Sequence, residues 1–164
     1  MVREPSKGVY INKYADEVHR NEFLGVGGKM EKKKILVADD EIHIIHVVAI
    51  KLRNNGFEVV TAEDGKEAYE LACKEKPDVV VTDYQMPRMN GLELVENLRQ
   101  NDSTKHIPVI MLTARGFAIE DDKREALQVS YFLSKPFSPK ELLRSIEDVL
   151  QQSAVPMKYT GKEI

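Results

Sequence analysis

From residue 35 onward, short apolar runs rich in branched side chains alternate with longer stretches in which apolar residues recur every three or four positions. The short runs are Ile35–Ala38, Val59–Thr61, Val79–Thr82, Val109–Leu112 and Tyr131–Leu133. Strands buried on both faces read this way, as near-continuous apolar segments with no alternation. The stretches between and after them, Ile42–Asn55, Lys66–Glu75, Leu92–Gln100, Ala118–Leu127 and Pro139–Gln151, read as helices. Punctuation agrees. Gly56 follows the first helix where a left-handed C-terminal residue is wanted. Ser138, Pro139 and Glu141 stand in the order of a capping box with proline at the first helical position. Five strand–helix repeats predict an α/β architecture, a parallel sheet covered by helices on both faces.

The first 34 residues carry no such pattern. They hold 8 Lys and Arg against 5 Asp and Glu, net +3, whereas the remainder holds 16 against 22, net −6. Gly25, Gly27 and Gly28 make a flexible stretch, and a short helix over Tyr14–Leu24 would have only a narrow apolar face. Residues 1–32 are therefore read as an extension, with Met30 as an alternative natural start. The sequence has 164 residues, enough for one ordinary domain with a sizeable core. A net charge of −3 argues against a protein that coats nucleic acid. The single cysteine, Cys73, excludes an internal disulfide and suits a reducing compartment; on the second helix it is expected to be a small buried hydrophobe. No run approaches the roughly 18 apolar residues of a membrane span, and there is no secretory leader pattern. A cytoplasmic protein with no membrane insertion is the expectation.

In a parallel sheet of this kind the chemistry gathers at the carboxyl ends of the strands. The residues there are Asp39, Asp40 and Glu41 after the first strand, Asp83 after the third, Thr113 and Ala114 after the fourth, and Lys135, Pro136 and Phe137 after the fifth. Clustered carboxylates repel unless neutralised. Hard oxygen donors without His or Cys suit Mg²⁺, and Mg²⁺ with Lys135 balances the charge of Asp39, Asp40 and Asp83. A carboxylate in such a setting can act as a nucleophile toward phosphorus and form an acyl phosphate.

These pieces, in this order and spacing, resemble the receiver domain of two-component response regulators. The resemblance covers residues 33–152 and rests on Asp39-Asp40, on Asp83 with the Met86-Pro87-Arg88-Met89-Asn90-Gly91 ending of its loop, on Thr113-Ala114, and on Lys135-Pro136-Phe137. It implies a flavodoxin-like doubly wound sheet of five parallel strands, order 2-1-3-4-5, with five helices. It implies Asp83 as phosphoacceptor and Mg²⁺ held by Asp39, Asp40, Asp83 and the backbone carbonyl of Gln85. Lys135 would pair with Asp83 and then with the phosphoryl oxygens. Thr113 would bond the phosphoryl group, and Phe132, three residues before Lys135, would be the aromatic switch that follows it. Lys135–Pro136 would be a cis bond. Gln85 and Arg115 would flank the path of hydrolytic water. The implied partners are a sensor histidine kinase or a histidine phosphotransfer protein, and a downstream protein of unknown identity. The protein would be a signalling phosphoacceptor and not an enzyme beyond its own phosphorylation and dephosphorylation.

Blander readings compete residue by residue. Asp39 and Asp40 could cap the first helix, which would leave Asp83 and Lys135 unexplained. His43 and His46 read as exposed helix residues, since no further His or Cys ligand stands nearby. Gly25-Val26-Gly27-Gly28 is not a nucleotide loop, because no strand feeds it. Where receivers commonly end the fourth helix with Gly-Ala, this chain has Gln128-Val129; a left-handed turn there would cost on the order of 1 kcal/mol with Gln. Residues 153–164 are expected to be a tail too short for an output domain, so that output proceeds by protein contact with no direct nucleic-acid binding. The alternative is the receiver portion of a DNA-binding transcriptional regulator lacking its effector domain. A flavodoxin-like electron carrier would need a phosphate loop after the first strand, where Asp39, Asp40 and Glu41 would repel a flavin phosphate.

Overall fold

The computed structural model describes residues 31–154, so the readings placed on residues 1–30 and 155–164 lie outside it. The apolar runs form five strands: β1 (Lys34–Ala38), β2 (Glu58–Ala62), β3 (Val79–Asp83), β4 (Val109–Thr113) and β5 (Tyr131–Ser134). All pair in parallel, in the order β2-β1-β3-β4-β5, as expected. The helices are α1 (Ile42–Asn54), α2 (Gly65–Glu75), α3 (Gly91–Gln100), α4 (Asp121–Leu127) and α5 (Pro139–Ala154).

Alternate side chains of the strands feed two cores. Ile35, Val37, Val79, Val81, Ile110 and Leu112 pack with Val48 and Leu52 of α1 and with Leu142 and Ile146 of α5. Leu36, Val80 and Met111 pack with Ala68 and Ala72 of α2, Leu94 and Leu98 of α3, and Leu127 of α4. The central strands β3 and β4 are buried along their whole length, which explains why their sequences show no alternation.

The helix ends follow local rules. Gly56 stands just after α1 at φ +88°, and its N–H reaches the Arg53 carbonyl. Ser138 and Glu141 bond reciprocally, the Ser138 N–H to Glu141 Oε2 at 2.7 Å and the Glu141 N–H to Ser138 Oγ at 3.1 Å. Asn90 and Glu93 form a second reciprocal pair at the start of α3.

Three expectations need correction. Helix α4 begins at Asp121 rather than Ala118; Gly116 turns the chain at φ +79°, and Glu120 at the N-cap supplies no side-chain bond to start a helix earlier. Cys73 is only partly buried, and its sulfur accepts from the Asn101 amide at 3.5 Å rather than packing in the apolar core. Asp83 and Thr113 are the last residues of β3 and β4, inside the pairing rather than after it. The left-handed turn holds: Gln128 has φ 50° and ψ 44°. Among the described residues no helix is long and apolar enough to cross a membrane.

The two-sided core separates two isoleucines of the same type. Ile146 is fully buried and Ile50 is 58% exposed. In urea unfolding, Ile146→Ala is expected to cost about 2–5 kcal/mol and Ile50→Ala less than about 0.5 kcal/mol.

Candidate functional site

The parallel register brings residues far apart in sequence to one edge. Asp39 follows β1, Asp83 ends β3, Thr113 ends β4, and Lys135 follows β5. Carboxylate oxygens of Asp39, Asp40 and Asp83 lie within 4.8 Å of one another. Asp39 is fully buried and Asp83 nearly so, while Asp40 faces solvent. The Lys135 ammonium stands 3.0 Å from Asp39 Oδ2 and 3.4 Å from Asp83 Oδ2. Its backbone N–H donates to the Thr113 carbonyl at 2.7 Å, so the β4–β5 pairing carries on one residue past β5 and aims the side chain inward.

Asp39 does not cap α1. Its Oδ1 accepts the Glu41 N–H at 2.9 Å, and its Oδ2 accepts from Lys135; the N-cap Glu41 makes no side-chain cap bond. The competing capping reading is thereby removed for Asp39. Glu41, named at the strand end and given no role by the sequence, joins the site, its Oε1 3.5 Å from Lys135 Nζ. Its other oxygen meets the exposed His43 at 3.4 Å. His46 is exposed as well, as expected for both.

Electrostatics follow from burial. Loss of water pushes the Asp83 carboxyl from 3.8 up to about 6, with the neighbouring Asp39 charge adding to it and Lys135 opposing. Burial also raises Asp39, against the Glu41 N–H and Lys135. For Lys135 burial acts downward, yet the carboxylates of Asp39, Asp83 and Glu41 outweigh it and hold the ammonium above its usual value. The site has an excess of negative charge under strain, which a hard cation would relieve.

The loop after β3 is anchored tightly. A β-carbon on Gly91 would run into the Asp83 carbonyl, and one on Gly65 into the Met89 carbonyl, so both helix starts approach the loop as only glycine allows. Arg88, at φ 67°, reaches Asp64 Oδ2 at 3.1 Å, whose other oxygen caps α2 by accepting the Glu67 N–H. Gln85 lies exposed in this loop, two residues past Asp83. Tyr84 packs against Phe117 of the β4–α4 loop with ring centroids 4.2 Å apart and the rings tilted by 45°, a link that no spacing rule signals. Phe132 is half-buried opposite Met111. The Lys135–Pro136 bond is cis.

A family model described as the response regulator receiver domain matches residues 35–147. The phosphate regulon transcriptional regulatory protein PhoB of Pseudomonas aeruginosa is 37% identical over 126 residues, 76% of this chain and 54% of that protein. The alkaline phosphatase synthesis transcriptional regulatory protein PhoP of Bacillus subtilis is 37% identical over 123 residues, 75% of this chain and 50% of that protein. The chain thus spans about half the length of the curated relatives it matches. Among solved structures, the chemotaxis response regulator CheY4 of Vibrio cholerae superposes with a TM-score of 0.67 at 36% identity, covering 73% of this chain and 99% of that one. The receiver domain of AraT, a response regulator from Geobacillus stearothermophilus, gives 0.64 at 32% identity, covering 74% and 95%.

The raised Asp83 carboxyl has a consequence for the metal-free protein. A carboxyl with a folded value of about 6 against 3.8 binds its proton more tightly folded than unfolded, so its contribution to stability falls as pH rises from about 4 to about 6 and stays low above. Asp83→Asn removes that penalty. In chelator at about pH 7.5 the variant should be more stable by about 1–2 kcal/mol, with the gap closing as pH falls toward about 4. Denaturant melts at several pH values check it; a variant no more stable than the parent at neutral pH contradicts the electrostatic account.

Proposed function

The chain belongs to the response regulator receiver domain family, and from that premise we propose that it is a phosphoacceptor whose Mg²⁺-dependent phosphorylation on Asp83 switches its protein contacts. The observation that carries the proposal is the Lys135 ammonium set between Asp39 and Asp83, 3.0 Å and 3.4 Å away, at the edge of a three-carboxylate cluster. As a receiver module of a two-component system it is a signalling component rather than an ordinary enzyme.

The donor set fits Mg²⁺: among the described residues it is three carboxylates, one of them solvent-facing, with no nitrogen or sulfur ligand in the cluster. Asp39, Asp40, Asp83 and the Gln85 carbonyl would hold it. When bound, the cation supplies neutralisation of the carboxylates and of the phosphoryl oxygens. The chain's own residues do the rest. An Asp83 carboxylate oxygen attacks the phosphorus of a phosphohistidine; the new O–P bond forms as the N–P bond breaks, and the imidazole leaves with the electron pair and takes a proton from solvent. Lys135 shifts its ammonium toward the transferred oxygens, and the Thr113 hydroxyl donates to one of them. In the reverse sense of the switch, water attacks the phosphorus, inorganic phosphate departs and the Asp83 carboxylate is restored. Transfer of this kind depends on positioning and charge more than on covalent machinery.

A partner carrying the phosphohistidine has a route to the site. An apolar groove of about 520 Å³ runs beside Lys135, lined by His43, Ile44 and Val47 of α1, by Arg115, and by Pro136 and Phe137. Next to it Ile42, Val47 and Ile50 are exposed on α1. This surface suits an amphipathic helix of a histidine kinase or histidine phosphotransfer protein. The cellular setting consistent with it is the cytoplasm. Output passes through Thr113 and Phe132 to α4, β5 and α5, to a downstream protein. Residues 33–152 act as the receiver, with 1–32 and 153–164 as flanking segments. A second reading is favoured by the half-length match to transcriptional regulators: the chain would then be the receiver portion of a DNA-binding regulator, which the full reading frame decides.

The test is intact mass after incubation with acetyl phosphate and Mg²⁺. One added phosphoryl group is expected, absent with Asp83→Asn and absent with EDTA. Lys135→Ala, compared at a temperature where circular dichroism shows it folded, should slow its appearance about a hundredfold. A phosphoryl group that persists in Asp83→Asn would overturn the assignment of the acceptor.

A further inference from the structure

Helix α4 is lightly held. It has 7 residues, and Leu127 is the buried one. Two arginines secure it. Arg99, in the last turn of α3, gives its guanidinium hydrogens to four carbonyls: Lys105 at 3.0 Å, Ile107 at 2.8 Å, Leu127 at 3.0 Å and Gln128 at 3.2 Å. The last two are C-terminal carbonyls of α4, groups that a helix leaves without partners of its own. Arg99 therefore pins the end of α4 without touching the sheet side of the switch.

Arg124 touches that side. Its guanidinium carbon lies over the Phe132 ring, 4.6 Å from the centroid, well inside the range of a cation–π contact. The ring packs on the cluster that includes Met111 and Leu127. The register sets Thr113 opposite Ser134 and Met111 opposite Phe132, so Phe132 and Thr113 lie on the same face of the sheet, two positions apart along β5 and β4. The contact from Arg124 thus joins α4 to the residue through which the proposed switch is read.

We propose that Arg124 is a positioning residue for Phe132: by covering the ring it holds ring and α4 together in the arrangement described above, and phosphorylation of Asp83 draws the chain away from that arrangement at the expense of this contact. The inference rests on the reading of Asp83 as phosphoacceptor. It also explains how a helix with one buried residue can be a defined element and still respond to a small change at Thr113. A partly exposed cation–π contact biases a two-state equilibrium by about two- to fivefold, enough to set the threshold of a switch without locking it.

The experiment titrates the full chain with beryllium fluoride in the presence of Mg²⁺, a tetrahedral stand-in for the phosphoryl group, and follows saturation by NMR. Arg124→Met keeps the stem and removes the charge; it should lower the half-saturating fluoride concentration by about two- to fivefold. Arg124→Lys, which keeps a cation, should lie nearer the parent. In a Phe132→Leu background Arg124→Met should have no further effect. An unchanged half-saturation in Arg124→Met overturns the inference, as does a shift of equal size in the Phe132→Leu background, which would make it a matter of overall charge. If the parent chain takes up no beryllium fluoride, the phosphoacceptor reading falls and the inference with it; uptake by the parent with no response to Arg124→Met removes the inference alone.

Discussion

Three carboxylates share one edge of the sheet, and the Lys135 ammonium is what allows two of them to be buried there. Asp39 is fully buried and Asp83 nearly so; a lone buried carboxylate would be expelled or protonated. Lys135 reaches both from a position 96 residues beyond Asp39. Only a parallel sheet with β1, β3 and β5 opening on the same edge brings such residues together, and the Lys135 N–H to Thr113 carbonyl bond sets the depth to which the side chain enters. Ion pairs of this sort seldom add net stability. The balance here is left short: one ammonium among Asp39, Asp40, Glu41 and Asp83 leaves an excess of negative charge, which a hard cation would relieve.

Much of this was legible in the sequence, for reasons that differ by element. The strands were visible because burial on both faces demands unbroken apolar runs, and α5 because Ser138, Pro139 and Glu141 supply its start locally. Asp39, Asp83, Thr113 and Lys135 could be placed on one edge because strand ends in parallel sheets coincide. What failed was local signal without tertiary context. Ala118, Ile119 and Glu120 have helical composition, but the turn at Gly116 and the absence of a capping side chain delay α4 to Asp121. Cys73 looked like core by residue type, yet it is only partly buried and its sulfur meets the Asn101 amide. The pairs Arg88–Asp64, Tyr84–Phe117 and Arg124–Phe132 join separate elements, and no periodicity announces them.

The molecule also divides its rigidity unevenly. Around Asp83 the backbone is over-determined: Gly91 and Gly65 permit contacts that a β-carbon would forbid, and Asp64 serves α2 and Arg88 at once. Such anchoring fixes the place of Asp83, which is the condition that the proposed transfer by positioning requires.

On the α4 side the local rules are at their weakest. Gln128 adopts a left-handed conformation that costs on the order of 1 kcal/mol for a residue with a β-carbon, and α4 contributes one buried side chain to the core. Arg99 offsets this by bonding the carbonyls of Leu127 and Gln128, so the strained turn is held from outside the helix rather than by it. An element held by polar contacts at its rim and little apolar burial sits at the low-stability end of the fold. Under the proposed switch, a change at Thr113 worth a few hydrogen bonds would move such an element more readily than α3 or α5 with their buried leucines and isoleucine. The place where sequence and local structure agree least is therefore the place where a receiver needs two arrangements of similar energy.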